Sequence, residues 1–434
     1  MCAKKSGRKH TKKDSSAVRN AGSASQVLSA LPCMENLPGF ENIPLEPFQQ
    51  EAFDQAVDSL TCSGLADVRE LALGCVVSLD RGFPVLESTA RVGRAEFSAQ
   101  LSKEGVKLAV GDWACVRYPE GHDKAQVMQA LPRRSEVARW GGKKRGQKQV
   151  LAANLDKVLI VQPLGERTFL SGRIVRSCVV ALDCQTRPVV VLTKADLCRS
   201  TGEMVQAVQE LRDILEDRVE IIVCGDFPAS SDFERANDVP AAEEEPEAEE
   251  AGDVPGGFEK AQKAHEKEAA MKQAAQKLGC VWGALAVVES VPQGCVAMVL
   301  GESGAGKSTL LNSILGAQVL QTGAVRSKDG AGRHTTVGRR MVQLPNAGII
   351  IDEPGLRSLP VLGHMEGLEL AFPAIVAHGG QCKFSDCTHT HEPGCALLEG
   401  LEQQEFTQAA LDSYLSLAQE MREAQATLDP DVSL

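Results

Sequence analysis

The residues with the clearest chemical signature form the stretch "GESGAGKST". It fits the pattern G-x-x-x-x-G-K-[ST], whose glycines let the backbone curl so that several N–H groups point at a phosphate. The lysine of the pattern reaches the β- and γ-phosphates, and the hydroxyl after it binds Mg²⁺. An apolar run, "CVAMVL", precedes the loop and a helical pattern follows it, as the motif requires. The stretch predicts a nucleoside triphosphate site formed by Gly301, Glu302, Ser303, Gly304, Ala305, Gly306, Lys307, Ser308 and Thr309.

Two stretches downstream fit the γ-phosphate and its Mg²⁺. "GIIIDEPG" places Asp352 at the end of an apolar strand, where it can organise Mg²⁺ through water, and Gly355 where its N–H can meet the γ-phosphate. Between this stretch and the phosphate loop, "GRHTTVGRR" supplies hydroxyls suited to a switch loop that closes over Mg²⁺, although an ordinary polar loop is the alternative. The predicted magnesium-binding residues are Ser308, Thr335, Thr336 and Asp352.

A third motif, "TKAD", contains Thr193, Lys194 and Asp196 and follows the apolar strand "PVVVL". An aspartate carboxylate accepts two hydrogen bonds from the N1–H and 2-amino groups of guanine, and adenine offers no such donor pair. Asp196 therefore predicts GTP rather than ATP, with the stem of Lys194 lying over the base. In an ordinary GTPase this motif comes after the phosphate loop, whereas here it comes first. Joining old termini and cutting elsewhere leaves a site intact, so the order indicates a circularly permuted GTPase.

Hydrolysis needs a group that positions the attacking water. Many GTPases place Gln directly after D-x-x-G, but here that position is Leu356, which cannot orient water. His334 is the candidate catalytic residue, together with Lys307, and the alternative is a histidine that only packs in the switch loop. Slow intrinsic hydrolysis is expected, and a partner that supplies further groups can add about 10³–10⁵ in rate.

Most of the 14 cysteines are scattered, and only those in "CKFSDCTHTHEPGC" cluster. Three thiolates and one imidazole form a closed tetrahedral zinc site, which leaves no open position for chemistry and is therefore structural. The predicted ligands are Cys382, Cys387, His389 and Cys395, with His391 as an alternative imidazole.

The composition is that of an ordinary globular protein, with 43% apolar and 24% charged residues among 434. The length predicts two to four domains. No apolar run approaches the roughly 20 residues that span a bilayer, and no apolar segment follows the basic N-terminus as in a secretory signal. A cytoplasmic protein without membrane contact is expected. The net charge of −12 does not exclude nucleic acid, because the acidity is concentrated in one segment.

The pattern along the chain predicts several domains. Residues 1–25 form a basic tail, either a disordered solubilising segment or an arm on an anionic surface such as RNA, and residues 26–70 form a helical extension. Short alternating runs separated by turn residues predict a small β-barrel over 71–135. The Arg/Lys-rich stretch after "LPRR" is read as a solvated connector or an RNA contact. Strand–helix alternation predicts an α/β domain over 136–365, and residues 366–434 form a C-terminal region with the Cys/His cluster and one last helix, "LEQQEFTQAALDSYLSLAQEMREAQATL".

One segment interrupts the α/β pattern. Residues at about 232–257 are rich in Glu, Ala and Pro and can bury almost nothing. They are predicted to form a disordered insertion.

Together, "TKADL", "GESGAGKSTLLNSILG", "GRHTTVGRR", "DEPGLR" and the C-x4-C-x-H-x5-C spacing strongly resemble the ribosome small-subunit-dependent GTPase family, known as RsgA or YjeQ. The resemblance covers roughly residues 71–400 and includes "VGDWACV", "LPRRSEVARW" and "AANLDKVLIV". It implies an OB-fold barrel, a circularly permuted P-loop GTPase domain and a small zinc-binding α-helical C-terminal domain. It also favours His389 as the zinc ligand and supports His334 in hydrolysis. The implied partners are GTP and GDP, the small ribosomal subunit and its rRNA, and a monomer is expected.

Three positions depart from the family pattern. The residue after the switch aspartate is usually Thr but here is Glu353, which would lower activity if it faced the nucleotide. The usual third Thr of the switch loop is Val337, and the loop that backs the guanine is placed at Gly283 and Ala284 in "CVWGALAVV".

The resemblance implies a GTPase that is stimulated by the small ribosomal subunit and acts late in the assembly of that subunit. The alternative is a GTP-gated ribosome- or rRNA-binding factor with weak or residual hydrolysis, for which Glu353 is the suspicious feature. An ATP-dependent P-loop enzyme unrelated to ribosomes is disfavoured by Asp196.

Overall fold

The structure is a computed structural model that describes residues 36–80, 83–122, 124–141, 147–165, 169–225, 257–316, 339–353 and 359–426. Several predicted features lie outside these residues: the basic tail, nearly all of the acidic insertion, and the candidate site residues His334, Thr335, Thr336 and Gly355.

A closed five-stranded barrel follows the N-terminal helix α1 (Pro47–Cys62). Its strands are β1 (Leu71–Asp80), β2 (Phe83–Ser88), β3 (Gly93–Phe97), β4 (Trp113–Arg117) and β5 (Ala125–Ala130), with helix α2 (Ala99–Glu104) between β3 and β4. The antiparallel pairing of β1 with β4, from Leu71↔Arg117 to Cys75↔Trp113, closes the barrel. Because side chains alternate along each strand, one set fills the interior. This set includes Val76, Leu86, Ala95, Val116 and Val127, and Leu101 of α2 packs against it.

The second region is a largely parallel sheet. Its strands are β8 (Lys157–Pro163), β9 (Arg187–Thr193), β10 (Glu220–Val223), β11 (Val281–Trp282), β12 (Val296–Leu300), β13 (Arg340–Gln343) and β14 (Ile349–Asp352). The spatial order is β11-β10-β9-β8-β12-β14-β13, and only β13 runs antiparallel to its neighbour within this part of the sheet. Six of the seven residues of β8 are buried, as expected for a strand covered on both faces.

The order of these strands explains the permuted motifs. The chain first builds β8, β9 and β10 outward, then returns to the middle of the sheet, where β12 pairs with β8 on one side and β14 on the other. The carboxyl ends of β9 and β12 therefore lie on the same edge of the sheet. Ligands of open α/β sheets bind at this edge, where the strand order reverses.

Two connections join the barrel to the parallel sheet. Strand β1 pairs with β13 at Ser78↔Arg340, so the two sheets are continuous. The Arg/Lys-rich stretch, predicted to be a connector or an RNA contact, forms an antiparallel hairpin of β6 (Glu136–Gly141) and β7 (Gln147–Ala153), and the RNA contact stays a prediction. Buried apolar residues anchor this hairpin, since Val137, Ala138, Leu151 and Ala152 are buried while Arg139 and Lys148 remain accessible.

Helices cover the sheet and form the C-terminal region. They are α3 (Ser171–Asp183), α4 (Thr201–Leu215), α5 (Gly257–Lys277), α6 (Ala284–Glu289), α7 (Lys307–Leu315), α8 (Met365–Ala371), α9 (Pro373–His378), α10 (Ala396–Glu402) and α11 (Gln408–Ala426). Within the described ranges, no helix combines the length and apolar character needed to cross a bilayer.

The prediction of one last helix from "LEQQ" onward is wrong. Helix α10 ends at Glu402, and Gln404 has a positive φ of 58°. The hydroxyl of Thr407 accepts a 3.0 Å hydrogen bond from the backbone N–H of Ala410, which caps a new helix. A left-handed residue and an N-cap thus break what reads as a continuous helical pattern.

Candidate functional site

The predicted phosphate loop leaves β12 and enters α7. A Cβ at position 301 would lie 2.5 Å from the carbonyl oxygen of Val161 on β8, so only glycine fits at Gly301. Gly306 has a φ of 91°, in the left-handed region, and directly precedes α7. Ser303 and Gly304 are exposed, while Ser308 and Thr309 stand in the first turn of α7. The loop therefore presents backbone N–H groups at a helix N-terminus, an arrangement that binds phosphate.

Lys307 is buried within this loop. Its Nζ donates hydrogen bonds to the carbonyl oxygens of Gly301, at 2.5 Å, and Glu302, at 2.9 Å. Burial lowers the pKa of Lys307, and the nearby carboxylates of Asp352 and Glu302 oppose that shift. The ammonium group thus lies inside the curl of the loop, beside the predicted magnesium-binding aspartate.

The base-recognition motif and the phosphate loop are in direct contact. Thr193, the last residue of β9, is fully buried, and its Oγ1 donates a 2.6 Å hydrogen bond to the carbonyl oxygen of Ala305. A Cβ on Gly306 would lie 3.4 Å from the same hydroxyl. The structure therefore brings together two motifs that are far apart in the sequence and in an unusual order.

The rest of the "TKAD" motif turns outward from the sheet. Lys194 adopts a left-handed conformation, with a φ of 58°, and the backbone N–H of Ala195 donates a 3.0 Å hydrogen bond to the carbonyl oxygen of Cys224. Asp196 lies in the short 3₁₀ turn that follows and is exposed. Because the turn is fixed on both sides, the carboxylate has a defined place at the edge of the sheet.

A lysine from a distant helix also holds this turn, although no sequence motif identifies it. Lys267 on α5 donates hydrogen bonds of 2.7 Å to the carbonyl oxygens of both Asp196 and Cys198. Lysines are frequent in α5, where they form part of a polar helical pattern. Nothing in that pattern distinguishes Lys267, because its partners are backbone atoms.

The loop beside Asp196 differs from the one suggested by the sequence. Cys224 and Gly225, at the end of β10, are the neighbours of the motif, and a Cβ on Gly225 would lie 3.8 Å from the backbone nitrogen of Asp196. Gly283 directly follows β11, which lies one strand further out in the sheet. Its backbone N–H donates a 2.9 Å hydrogen bond to the carbonyl oxygen of Val223. Cys224 and Gly225 therefore lie beside the turn that carries Asp196, and the assignment of Gly283 and Ala284 to the loop that backs the guanine stays a prediction.

Asp352 ends β14 and is buried next to the phosphate loop. Burial raises the pKa of its carboxyl, and the positive charges of Lys307 and Arg340 oppose that rise. Asp352 also stands opposite Arg340 in the register of β13 and β14. The carboxylate is thus balanced by two cations in a place where a magnesium ion could be organised.

Glu353, the departure noted in the sequence, is also buried and forms an ion pair with Arg339. Burial raises the pKa of the Glu353 carboxyl, and Arg339 is the main opposing influence. The extra negative charge is therefore compensated within the protein by a neighbouring strand.

The predicted zinc ligands Cys382, Cys387, His389 and Cys395 come together, with their ligand atoms all within 4.8 Å of one another. The Sγ atoms of Cys382 and Cys395 are 3.9 Å apart, and a tetrahedron with Zn–S distances of about 2.3 Å has edges of about 3.8 Å. Nδ1 of His389 lies 3.4 Å from Sγ of Cys395, whereas His391 is exposed and its Nδ1 is paired with Thr390. The donor set and its dimensions fit a structural zinc ion held by His389 rather than His391.

The family model described as RsgA GTPase matches residues 130–225 and 258–362. The small ribosomal subunit biogenesis GTPase RsgA of Streptomyces avermitilis is 33% identical over 364 residues, which cover 84% of this chain and 83% of that protein. The chain belongs to the RsgA GTPase family. The RsgA protein of Methanosarcina acetivorans is 31% identical over 330 residues, 76% of this chain and 74% of that protein.

A solved structure shares the fold. The crystal structure of YjeQ from Thermotoga maritima matches with a TM-score of 0.51 and 20% identity, over 81% of this chain and 99% of that one. The predicted combination of a barrel, a circularly permuted P-loop domain and a C-terminal helical region with a Cys/His cluster is confirmed. Membership of the family also confirms the prediction of a P-loop GTP hydrolase.

Proposed function

We propose that this RsgA-family GTPase hydrolyses GTP in a cycle stimulated by the small ribosomal subunit, and that it acts late in the maturation of that subunit. The observation that supports the proposal best is the hydrogen bond from Thr193 to Ala305, which joins the "TKAD" motif to the "GESGAGKST" loop. The names of the RsgA relatives support the ribosomal part. A cytoplasmic location, binding to rRNA and a monomeric state belong to the same proposal.

Each part of GTP has a candidate partner. The Asp196 carboxylate accepts hydrogen bonds from guanine, and the backbone N–H groups of residues 301–309 hold the phosphates. Lys307 places a positive charge at the β- and γ-phosphates, while Ser308 and Asp352 organise Mg²⁺. Gly355, Thr335 and Thr336 are proposed to complete the switches.

Hydrolysis is proposed to depend on His334, because Leu356 cannot orient water. A single group of this kind gives slow turnover, so the subunit is expected to supply or order further groups. His334→Ala in the full chain should abolish most stimulated turnover while GTP still binds, and unchanged turnover would reject the assignment.

The Cys/His cluster is proposed to hold one structural zinc ion that fixes the loop between α9 and α10. Three thiolates and one imidazole occupy all four tetrahedral positions, so the ion supplies rigidity and no reaction chemistry. Docking of this region on the subunit is proposed to be coupled to the switch, since α8 and the cluster follow closely after Asp352 along the chain.

The alternative of a GTP-gated binding factor with residual hydrolysis rested on Glu353. Its ion pair with Arg339 compensates the extra charge, which favours the enzyme. The decisive experiment compares GTP hydrolysis by the purified chain with and without small ribosomal subunits at moderate salt. A large stimulation supports the proposal, whereas bound GTP without stimulated turnover supports the binding factor. Large subunits at the same concentration are the control for non-specific RNA effects.

A further inference from the structure

The buried ion pair between Arg339 and Glu353 lies beside the magnesium-binding aspartate and against the barrel. We infer that Glu353 is a positioning residue for Asp352 and that the pair links barrel strand β1 to the magnesium site. This inference deepens the proposed function, since it assigns a role in Mg²⁺-dependent nucleotide binding to a residue that differs from the family pattern.

The first argument is the strand register. Arg340 stands opposite Asp352 in the last residue pair of β13 and β14, and Arg339 and Glu353 are the residues directly beyond that pair. The ends of the two strands therefore bring Arg339 and Glu353 close together, and their side chains form an ion pair. The Arg339 side chain is 18% exposed and that of Glu353 is 6% exposed. The pair is therefore well shielded from water.

The second argument is the attachment of Arg339 to the barrel. Its carbonyl oxygen accepts two hydrogen bonds from β1, one from Ser78 Oγ and one from the backbone N–H of Leu79, both at 3.1 Å. Its side chain pairs with Glu353, the residue directly after Asp352. A single residue thus connects the barrel, through its backbone, with the end of β14, through its guanidinium group.

The third argument is electrostatic. A buried ion pair loses its compensation when one partner is removed, and the remaining charge must find another partner. When Glu353 is replaced, the next carboxylate available to Arg339 is that of Asp352, the residue directly before Glu353. Two cations, Lys307 and Arg340, already lie close to the Asp352 carboxylate. The pair therefore keeps one guanidinium away from the carboxylate that Mg²⁺ needs. Residues that orient metal ligands in this way typically change metal affinity by about 10–100-fold when they are replaced.

The test measures binding of GDP to the full chain at increasing Mg²⁺ concentration and, separately, in EDTA. Glu353→Gln preserves the shape of the side chain and removes its charge. We expect the Mg²⁺ concentration needed for half of the metal-dependent gain in affinity to rise about 10–100-fold, with the metal-free affinity unchanged. Glu70→Gln is the matched control, because Glu70 forms a 2.7 Å ion pair with Arg117 inside the barrel region and does not reach the parallel sheet.

A second variant covers the possibility that a lone buried charge prevents folding. The double replacement of Arg339→Met and Glu353→Met removes both charges and leaves no uncompensated one. It should fold and show a smaller rise in the Mg²⁺ requirement than Glu353→Gln, because the connection between the barrel and the end of β14 is lost but no unpaired guanidinium remains near Asp352. Ser78→Ala should shift the requirement in the same direction by a smaller factor.

Three results separate the inference from the proposed function. A normal Mg²⁺ requirement in the Met/Met variant, or an equal loss of affinity in EDTA, would overturn the inference. Failure of the unmodified chain to bind guanine nucleotides would instead overturn the proposed function. Because the readout is binding, it stays decisive for a chain that hydrolyses GTP slowly.

Discussion

The hydroxyl of Thr193 donates a 2.6 Å hydrogen bond to the carbonyl oxygen of Ala305 across 112 residues of sequence. One partner ends the strand that carries the base-recognition motif, and the other lies in the phosphate loop. Because both strands end on the same edge of the sheet, the bond forms in spite of the permuted chain order. The contact fixes the spacing between the region proposed to read guanine and the region proposed to hold phosphate.

Replacing Thr193 by Val tests this contact, since valine keeps the shape of the side chain and removes the donor. The buried carbonyl of Ala305 then loses its partner, which costs about 1–3 kcal/mol. We expect GTP affinity to fall by about tenfold, as measured by titration with a fluorescent nucleotide. Thr193→Ser retains the hydroxyl and should bind GTP nearly as well as the unmodified chain. Equal affinity for Val and Ser variants would contradict the role of the bond.

The parts of this protein that could be predicted from sequence are those whose chemistry depends on local spacing. The P-loop pattern and the Cys/His pattern are short motifs in which residue type and interval carry the information. The sequence could therefore predict the loop that contains Lys307 and the grouping of Cys382 with the other members of the Cys/His cluster. The continuous apolar runs around "KVLIVQPL" likewise indicated strands that are buried on both faces.

The features that sequence patterns do not predict depend on contacts between residues that are distant along the chain. Lys267 is one of many lysines in a polar helix, and only the fold shows that it holds the turn at Asp196. The neighbours of that turn, Cys224 and Gly225, lack the residue types that would have identified them. The ion pair joins Arg339, the residue before β13, to Glu353, the residue after β14, and no pattern along the chain displays this contact.

Removal of zinc should unfold the Cys/His cluster. Cys395→Ser replaces a buried ligand, so the metal content is expected to fall from one zinc per chain to near zero, with a lower melting temperature. His391→Ala, which changes an exposed histidine of the same loop, is the control and should keep its zinc. Metal analysis and calorimetry provide the two readouts. Loss of zinc from the His391 variant but not from His389→Ala would show that the ligand assignment is wrong.

Base selectivity is tested by Asp196→Asn. The amide can no longer accept both hydrogen bonds from guanine, and bonds to a charged group contribute about 1.5–3 kcal/mol each. GTP affinity should therefore fall by at least about tenfold. Xanthosine triphosphate, which has a carbonyl in place of the 2-amino group, should gain affinity because the Asn amide can donate to it. Competition binding with both nucleotides measures the change in preference from GTP to xanthosine triphosphate. A variant that still prefers GTP would rule out Asp196 as the residue that recognises the base.

Gly301 offers a test of the phosphate loop that does not rely on charge. A Cβ at this position would lie 2.5 Å from the backbone carbonyl of Val161, so Gly301→Ala must push β12 away from β8. Because the displaced atoms belong to the backbone of a central strand, we expect a lower melting temperature together with loss of nucleotide binding. Gly172→Ala is the matched control: this glycine lies in α3, where a Cβ meets nothing within 4 Å. In a helix the same change stabilises by roughly 0.5–1 kcal/mol. Equal GTP affinity of the two alanine variants would contradict this role of Gly301, because phosphate binding through aligned N–H groups does not allow the loop to be displaced.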